Sequence, residues 1–218
     1  NLHPLEHDRL RPCGDDRPFE LDPRNLPAFD RHVFAIFEPR RARYPLHAES
    51  KAWDFKGLFN LVLNGYNISK VVFYFAKLKE HKDTKEKSKE LIEKQRLLKT
   101  HLEKQEFEVI FSGRVRGFQE IGFLGKKSLI FKEKGVDVRI GVDMVSFSCD
   151  KLFDQIILGS SDSDLQPAIN NVKKKNIIVV YLGFEENQNK GISYNSNKTI
   201  LIRNSEIIKF LNLKNEPV

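Results

Sequence analysis

The feature that most constrains the fold of this chain is a run of β-branched and aromatic residues from Ser69 to Lys77, SKVVFYFAK. A nearly continuous run of this kind is typical of a strand buried on both faces of a parallel sheet. A second apolar run, Gln155 to Leu158, predicts another such strand. Because these strands need helices on both faces of their sheet, we expect strands and helices to alternate along the chain.

The remaining patterns agree with that alternation. Helices are predicted over residues 55–63, with Asp54 as N-cap and Gly65 at the end, and over 82–105, 136–145, 165–174 and 205–213. Further strands are predicted over 33–37, 107–111, 176–182 and 199–202. Residues 114–134 are expected to form a basic, glycine-containing connection. The order predicts an α/β fold with a central, mostly parallel sheet, and such sheets bind ligands at the carboxyl ends of their strands.

The first 50 residues differ in composition from the rest of the chain. All 24 lysines follow residue 50, whereas the first 50 residues contain eight arginines and seven of the nine prolines. The charges sum to 8 − 9 = −1 for residues 1–50 and to 29 − 21 = +8 for residues 51–218. We expect residues 1–30 to be an irregular or non-native leader and residues 31–213 to form one domain. The basic excess of the domain fits a polyanionic partner, although a solvated lysine-rich surface would give the same total.

Several other classes of protein are excluded by simple patterns. No apolar run approaches the roughly 20 residues of a membrane span, and no signal peptide pattern is present at the start of the sequence. Cys13 and Cys149 are far apart and have no zinc-site or disulfide spacing. The chain also lacks a glycine-rich loop of the Walker or dinucleotide-binding type. The sequence therefore predicts a cytoplasmic protein without membrane contact.

A small, doubly acidic turn follows the predicted strand at 155–158 and reads GSSDSD from residue 159. Asp162 and Asp164 are two residues apart, close enough for both to contact one hard cation. Mg²⁺ is commonly held by one or two carboxylates together with water and phosphate oxygens. The alternative is that Asp162 or Ser163 only caps the helix that begins near Leu165, since both residue types are favoured caps.

A second acidic segment opens the preceding predicted helix and reads KGVDVRIGVDM over residues 134–144. Asp137, in the first turn, is expected to face the same end of the sheet, although the helix dipole alone would also favour an acid there. Gly141 is expected to leave open space beside Asp137. Asp143 lies about 240° around the helix from Asp137, so we assign it a structural role or a supporting position behind a metal site.

Together, the two acidic segments resemble the NYN family of PIN-like nucleases, which includes the LabA-like proteins. The resemblance rests on KGVDVRIGVDM at 134–144 and SSDSDLQP at 160–167, and it is best supported over residues 52–183. It implies a PIN-like Rossmannoid three-layer sandwich and a metal-dependent endoribonuclease. Carried over to this chain, Asp137, Asp162 and Asp164 would be catalytic ligands of Mg²⁺ or Mn²⁺. Ser160 would contact phosphate or backbone, and Ser161 would support the ligands.

The same resemblance implies that the partner is RNA, with single strands as the expected form. Five basic residues are predicted to form a rim that neutralises phosphates: Lys132, Lys134, Arg139, Arg114 and Arg116. A purely solvated role for each of them is the alternative. The sequence leaves a homodimer open.

The first predicted strand departs from the pattern of the family. There, the strand ends in an Asp that is followed three residues later by an Asn, whereas here Phe37 is followed by Glu38, Pro39 and Arg40. Glu38 is therefore only a weak candidate for the missing metal ligand. The alternative function is a catalytically impaired PIN-like module that binds RNA or a protein partner without cleavage.

Overall fold

The computed structural model describes residues 33–37, 53–80, 85–121, 127–151 and 153–210. Within them, one sheet has the strand order β4-β3-β2-β1-β5-β6-β7, and only the β3–β4 pair is antiparallel. The strands are β1 (Val33–Phe37), β2 (Ile68–Lys77), β3 (Glu108–Ile121), β4 (Lys127–Lys134), β5 (Gln155–Gly159), β6 (Ile178–Phe184) and β7 (Lys198–Ile202). The helices are α1 (Phe55–Val62), α2 (Lys85–Lys104), α3 (Val136–Cys149), α4 (Gln166–Lys174), α5 (Lys190–Asn195) and α6 (Asn204–Lys209). The predicted α/β class with a mostly parallel sheet is confirmed.

Helices cover both faces of the sheet, so the fold has three layers. Helices α1, α2 and α6 pack on one face, through residues such as Phe59, Leu102 and Ile207. Helices α3, α4 and α5 pack on the other, through residues such as Ile140, Ile169 and Ile192. None of the helices in the described part of the chain has both the length and the apolar character needed to cross a membrane.

The strand predicted most directly from the sequence is buried on both faces. In β2, Phe73 and Phe75 belong to the core beneath α1 and α2, whereas Val72 and Tyr74 belong to the core beneath α3. Successive residues of a strand point to opposite faces, and helices cover both faces of this sheet. All four side chains are therefore buried. The predicted start of α1 is also confirmed, since the Asp54 carboxylate accepts a hydrogen bond of 2.8 Å from the Gly57 N–H.

The prediction of a basic, glycine-containing connection over residues 114–134 is wrong. Strand β3 continues to Ile121 and pairs with β4 as an antiparallel hairpin. In a two-stranded hairpin, each strand forms its backbone hydrogen bonds with the other strand. A hairpin can therefore form without the long apolar runs by which buried strands are recognised in a sequence. The short helix α5 was also missed, and α3 extends four residues beyond its predicted end at Val145. The leader at 1–30, Glu38 and residues 211–213 lie outside the described residues.

Gly141 lies on the side of α3 that packs against α4. A Cβ atom added at this position would lie 3.6 Å from the Ala168 Cβ and 3.9 Å from the Leu165 Cδ2. The open space expected beside Gly141 is therefore filled by the neighbouring helix, because a residue without a side chain lets two helices pack closely.

We expect Gly141→Ala to raise the free energy of unfolding by about 0.5 to 1 kcal/mol. An added methyl would make ordinary van der Waals contacts, and glycine inside a helix costs about that much relative to alanine. Gly141→Leu should instead lower it by about 1 to 3 kcal/mol, because a larger side chain overpacks the contact. Denaturant unfolding of both variants tests this, and a destabilised alanine variant would contradict it.

Candidate active site

The winding of the sheet reverses beside β1. From β1 the chain adds β2 and β3 on one side, and it then returns to place β5 on the other side. The carboxyl ends of β1 and β5 are neighbours, with Phe37 aligned with Gly159. In open α/β sheets, the crevice outside the strand ends at such a reversal is the usual place for a ligand. The acidic turn after β5 therefore lies at the position where sheets of this topology usually bind a ligand.

The two strands are packed tightly at this point. A Cβ atom added to Gly159 would lie 2.3 Å from the Phe37 Cδ1, well inside van der Waals contact. The Phe37 ring also stacks on Phe59 of α1, with ring centroids 4.4 Å apart. Glycine at the end of β5 is thus required by the aromatic core, and it fixes the position from which the acidic turn begins.

The acidic turn is ordered by hydrogen bonds between its own residues. Ser160 is buried, and its Oγ accepts a hydrogen bond of 3.2 Å from the Asp162 N–H. The Asp162 Oδ1 accepts one of 3.0 Å from the Asp164 N–H and so caps the short 3-10 turn at Ser163–Leu165. The capping role considered for Asp162 is therefore present, and it uses one of the two carboxylate oxygens. Asp162 is half-buried, whereas Asp164 is exposed.

Asn189, at the start of α5, binds the acidic turn through its side chain. This residue was not predicted from the sequence. Its Nδ2 donates a 2.7 Å hydrogen bond to the Ser161 carbonyl. Its Oδ1 accepts from the Ile192 N–H and caps α5, while its backbone N–H donates to the Tyr181 hydroxyl. Asparagine is a favoured N-cap, so the start of α5 could have been predicted from the sequence. The contact between Asn189 and Ser161 could not be predicted in this way.

Asp137 lies in the first turn of α3, and this helix starts at the same edge of the sheet. Lys134, the last residue of β4, pairs with Arg114, which in turn pairs with Lys77 at the carboxyl end of β2. Helix α3 therefore starts at the carboxyl edge and runs back along the sheet, in contact with the 3-10 turn that carries Asp164. The Glu133 Oε1 accepts a hydrogen bond of 2.8 Å from the Val136 N–H, which places a further acid, also missed in the sequence, at this helix start.

Asp143 joins α3 to the central sheet. It is buried, and its Oδ2 accepts hydrogen bonds of 2.8 Å from both the Tyr74 hydroxyl and the Arg139 Nε. These bonds link α3 to the centre of β2. Burial, followed by the hydrogen bond and charge of Asp143, raises the pKa of Tyr74, and the hydrogen bond and charge of Asp143 also raise the pKa of Arg139.

A magnesium ion that is bound partly by its substrate stays the prediction for the acids at the carboxyl edge. Within the described ranges, no three His, Cys, Asp or Glu side chains are gathered closely enough to hold a metal ion. A cage made only of these protein ligands is therefore not present there. A pair such as Asp162 and Asp164 suits Mg²⁺, which often takes one or two carboxylates and completes its shell with water and phosphate. The assignment of Asp137, Asp162 and Asp164 as ligands stays a prediction.

Four of the five predicted basic residues lie on the β3–β4 hairpin. Arg114 is opposite Lys134 and Arg116 is opposite Lys132, and the side chains of Arg114 and Lys134 are exposed. Arg139 lies instead on α3, where its Nε is bound to Asp143. The predicted rim is thus divided between four residues of the hairpin and Arg139, a half-exposed residue of α3 whose guanidinium binds Asp143.

A cavity of about 370 Å³ lies at the opposite edge of the sheet, near the starts of β2 and β3. Its lining includes Phe59, Ile68 and Phe107, together with the ion pairs Lys56–Glu106 and Lys70–Glu108. It contains none of the predicted site residues. We therefore place the candidate active site at the carboxyl edge and not in this cavity.

Comparison with known proteins agrees with the topology. The family model described as NYN domain matches residues 39–202. A crystal structure of a protein of unknown function from Vibrio parahaemolyticus RIMD 2210633 is similar, with a TM-score of 0.53 and 16% sequence identity. The similarity covers 79% of this chain and 93% of that chain, and it shows that the two proteins share an α/β fold. No curated protein matches the sequence.

Proposed function

The chain belongs to the NYN domain family of the PIN-like superfamily, and we propose that it is a metal-dependent endoribonuclease that hydrolyses RNA phosphodiester bonds. The observation that carries this proposal is the position of Asp162 and Asp164, directly after β5 and beside the end of β1. The two carboxylates lie where the strand order reverses beside β1. A pair of carboxylates in such a position is suited to bind a cation that also contacts a phosphate.

In this proposal Asp162 and Asp164 hold Mg²⁺ or Mn²⁺, and Asp137 is a third ligand, directly or through water. When bound, the ion makes a water molecule more acidic and offsets the negative charge of the phosphate that is attacked. Glu38 remains a weak candidate for a further ligand and lies outside the described residues.

The hydrogen bonds around the acidic turn support this role because they hold its backbone and the Asp162 Oδ1 in place before substrate arrives. The Ser160 hydroxyl and the Asn189 amide both bind the peptide group between Ser161 and Asp162. The Asp162 Oδ1 is bound to the Asp164 N–H, so its Oδ2 is the oxygen that faces the ion in this proposal. When catalytic groups are already in position, little free energy is spent on reorganising them during the reaction.

RNA is the proposed substrate, in single-stranded form. The excess of positive charge after residue 50 and the basic hairpin beside α3 support a polyanionic substrate. Arg114, Arg116, Lys132, Lys134 and the exposed part of Arg139 would neutralise its phosphates. The thiol of Cys149 is exposed, which fits a reducing compartment, so we also infer a cytoplasmic location.

A second candidate function is a PIN-like module that binds RNA without cutting it. Two observations favour it: no three His, Cys, Asp or Glu side chains are clustered within the described ranges, and the strand-end Asp that the family resemblance implies is absent after Phe37, where Glu38 is only a weak substitute. A site that lacks one ligand could bind the ion too weakly for turnover while the basic surface still binds RNA.

Cleavage of end-labelled single-stranded RNA separates the two functions. With Mg²⁺ or Mn²⁺, the wild-type protein is expected to cut internal bonds, and a chelator should abolish cutting until metal is added back. Asp154→Asn is the matched control, because Asp154 is an exposed acid at the opposite end of β5 and should be dispensable. RNA binding with no cleavage in either metal would reject the nuclease and favour the binding module.

A further inference from the structure

Helix α5 is too short to keep its position by itself and is held by side-chain hydrogen bonds. It has six residues, whereas isolated helices shorter than about 12 residues are marginal in water. At its start, the Asn189 Nδ2 donates a hydrogen bond of 2.7 Å to the Ser161 carbonyl oxygen. At its end, the Asn195 Nδ2 donates one of 2.8 Å to the Gln166 Oε1. The helix is therefore fixed at both ends to the segment that runs from Ser161 to Gln166.

That segment is the one that carries the acidic pair. Ser161 directly precedes Asp162, and Gln166 follows Asp164 by two residues. Helix α5 also packs against the 3-10 turn at Ser163–Leu165. A ligand bound at the acidic turn would therefore have α5 as its neighbour.

The outward face of α5 carries an aromatic ring and a positive charge. Tyr194 is 89% exposed and is the most exposed large apolar side chain among the described residues. Lys190 is also exposed and lies four residues earlier, which places the two Cβ atoms roughly 6 Å apart. Ile192 forms the buried side of the helix, roughly 160° around the axis from each of them. Packing in the core therefore does not account for an aromatic residue at position 194.

An exposed aromatic ring beside a lysine is suited to bind one nucleotide of a single strand. A base of any kind can stack on the ring, because every base has a π-face, and the lysine can neutralise a phosphate. The bases of a duplex are already stacked on one another, so their faces are closed to such a ring. The combination therefore selects for an unpaired base.

We propose that Tyr194 and Lys190 form a nucleotide subsite beside the candidate active site, in which Tyr194 stacks on one base of the RNA and Lys190 binds a neighbouring phosphate. The choice of RNA rests on the proposed function. Helix α5 connects β6 to β7, on the opposite side of β5 from the β3–β4 hairpin. A strand that crosses the acidic turn can thus contact the protein on both sides of the bond that is cut.

Replacing Tyr194 tests the stacking contact. Tyr194→Ala should lower the affinity for single-stranded RNA, measured in chelator to prevent cleavage, by about 5- to 150-fold, the effect of removing one stacked ring. Tyr194→Phe keeps the ring and should bind as tightly as the wild-type protein. Affinity for a fully paired RNA duplex should be the same for wild type and both variants. All three should melt at the same temperature, because an exposed ring contributes little to folding.

Replacing Lys190 tests the phosphate contact separately. Lys190→Gln should make the slope of log affinity against log salt shallower by about 0.7, the value for one phosphate contact on a single strand. Tyr194→Ala should leave this slope unchanged, because stacking releases no counterion.

Two variants at other places serve as matched controls. Lys151→Gln removes an exposed lysine between α3 and β5, at the opposite edge of the sheet. Ile208→Ala shortens an exposed apolar side chain on α6, which packs on the other face of the sheet from α5. Neither variant should change the affinity for RNA or the salt slope.

Wild-type affinity for Tyr194→Ala, or an equal loss of affinity for single strands and duplex, would overturn the stacking contact. An unchanged salt slope for Lys190→Gln would overturn the phosphate contact. These outcomes are distinguishable from those for catalysis. Binding that depends on Tyr194 without metal-dependent cleavage rejects only the nuclease, whereas metal-dependent cleavage with binding that ignores Tyr194 rejects only the subsite.

Discussion

Asp162→Asn is expected to reduce metal-dependent RNA cleavage by on the order of 100-fold or more, without destabilising the metal-free protein. Asparagine retains a carbonyl oxygen in the place of the Asp162 Oδ1, so it can still accept the hydrogen bond from the Asp164 N–H. It loses the negative charge that would hold the cation. Because neighbouring carboxylates repel each other when no cation is bound, removing one charge should leave the chelated protein equally stable or slightly more stable.

Asp162→Ala separates the cap from the metal ligand. Alanine removes both the charge and the acceptor, so the 3-10 turn loses its cap and the free energy of unfolding should fall by about 1 kcal/mol with or without metal. The wild-type protein should melt at a higher temperature in Mg²⁺ than in chelator, since a ligand bound only to the folded state stabilises it. Both variants should lose that metal-dependent gain.

The decisive comparison is thermal melting in Mg²⁺ and in chelator alongside the cleavage assay, for wild type, Asp162→Asn, Asp162→Ala and the control Asp154→Asn. If wild type melts identically in both conditions and the asparagine variant cuts RNA as fast as wild type, Asp162 is a helix cap and nothing more.

The sequence predicted the buried part of the fold because burial leaves a pattern. Strands β2 and β5 are apolar at successive positions, since helices cover both of their faces, and this pattern cannot be mistaken for a polar loop. The β3–β4 hairpin leaves no such pattern. Its register depends on cross-strand hydrogen bonds and on Gly113 and Gly135 at its base. Glycine in a basic segment is equally typical of a connection between elements.

The candidate site was predictable to the extent that it follows from strand ends. Asp162 comes directly after a recognisable buried strand, so the rule for open sheets gave its place. The contact between Asn189 and Ser161 joins residues 28 apart in the chain and exists only because β5 and β6 are neighbours. No local pattern encodes that neighbourhood. The same holds for Asp143, whose structural role was inferred from its helix face but whose partner Tyr74 lies 69 residues away.

The largest loss of stability is expected at Asp143. Asp143→Ala should lower the free energy of unfolding by about 2 to 4 kcal/mol, because it leaves the buried Tyr74 hydroxyl without its acceptor and removes the partner of Arg139. Tyr74→Phe should cost only about 1 kcal/mol, since Asp143 keeps its ion pair with Arg139. Denaturant unfolding of both single variants and the double variant measures their coupling. A cost below about 1 kcal/mol for Asp143→Ala would contradict the link between α3 and β2.

The same contact makes stability fall at alkaline pH. Burial, followed by the hydrogen bond and charge of Asp143, raises the pKa of Tyr74 above its ordinary value of 10.0. As the pH rises past about 10, the tyrosine in the unfolded chain loses its proton while folded Tyr74 keeps it, so the folded state loses stability relative to the unfolded state. The stabilising contribution is complete below pH 10 and declines above it. Tyr74→Phe should therefore reduce the alkaline slope by up to about 1.4 kcal/mol per pH unit. Tyr194→Phe, at a residue whose side chain is 89% exposed, should leave the slope unchanged. Equal slopes for wild type and Tyr74→Phe would show that Tyr74 ionises as readily in the folded protein as in the unfolded chain.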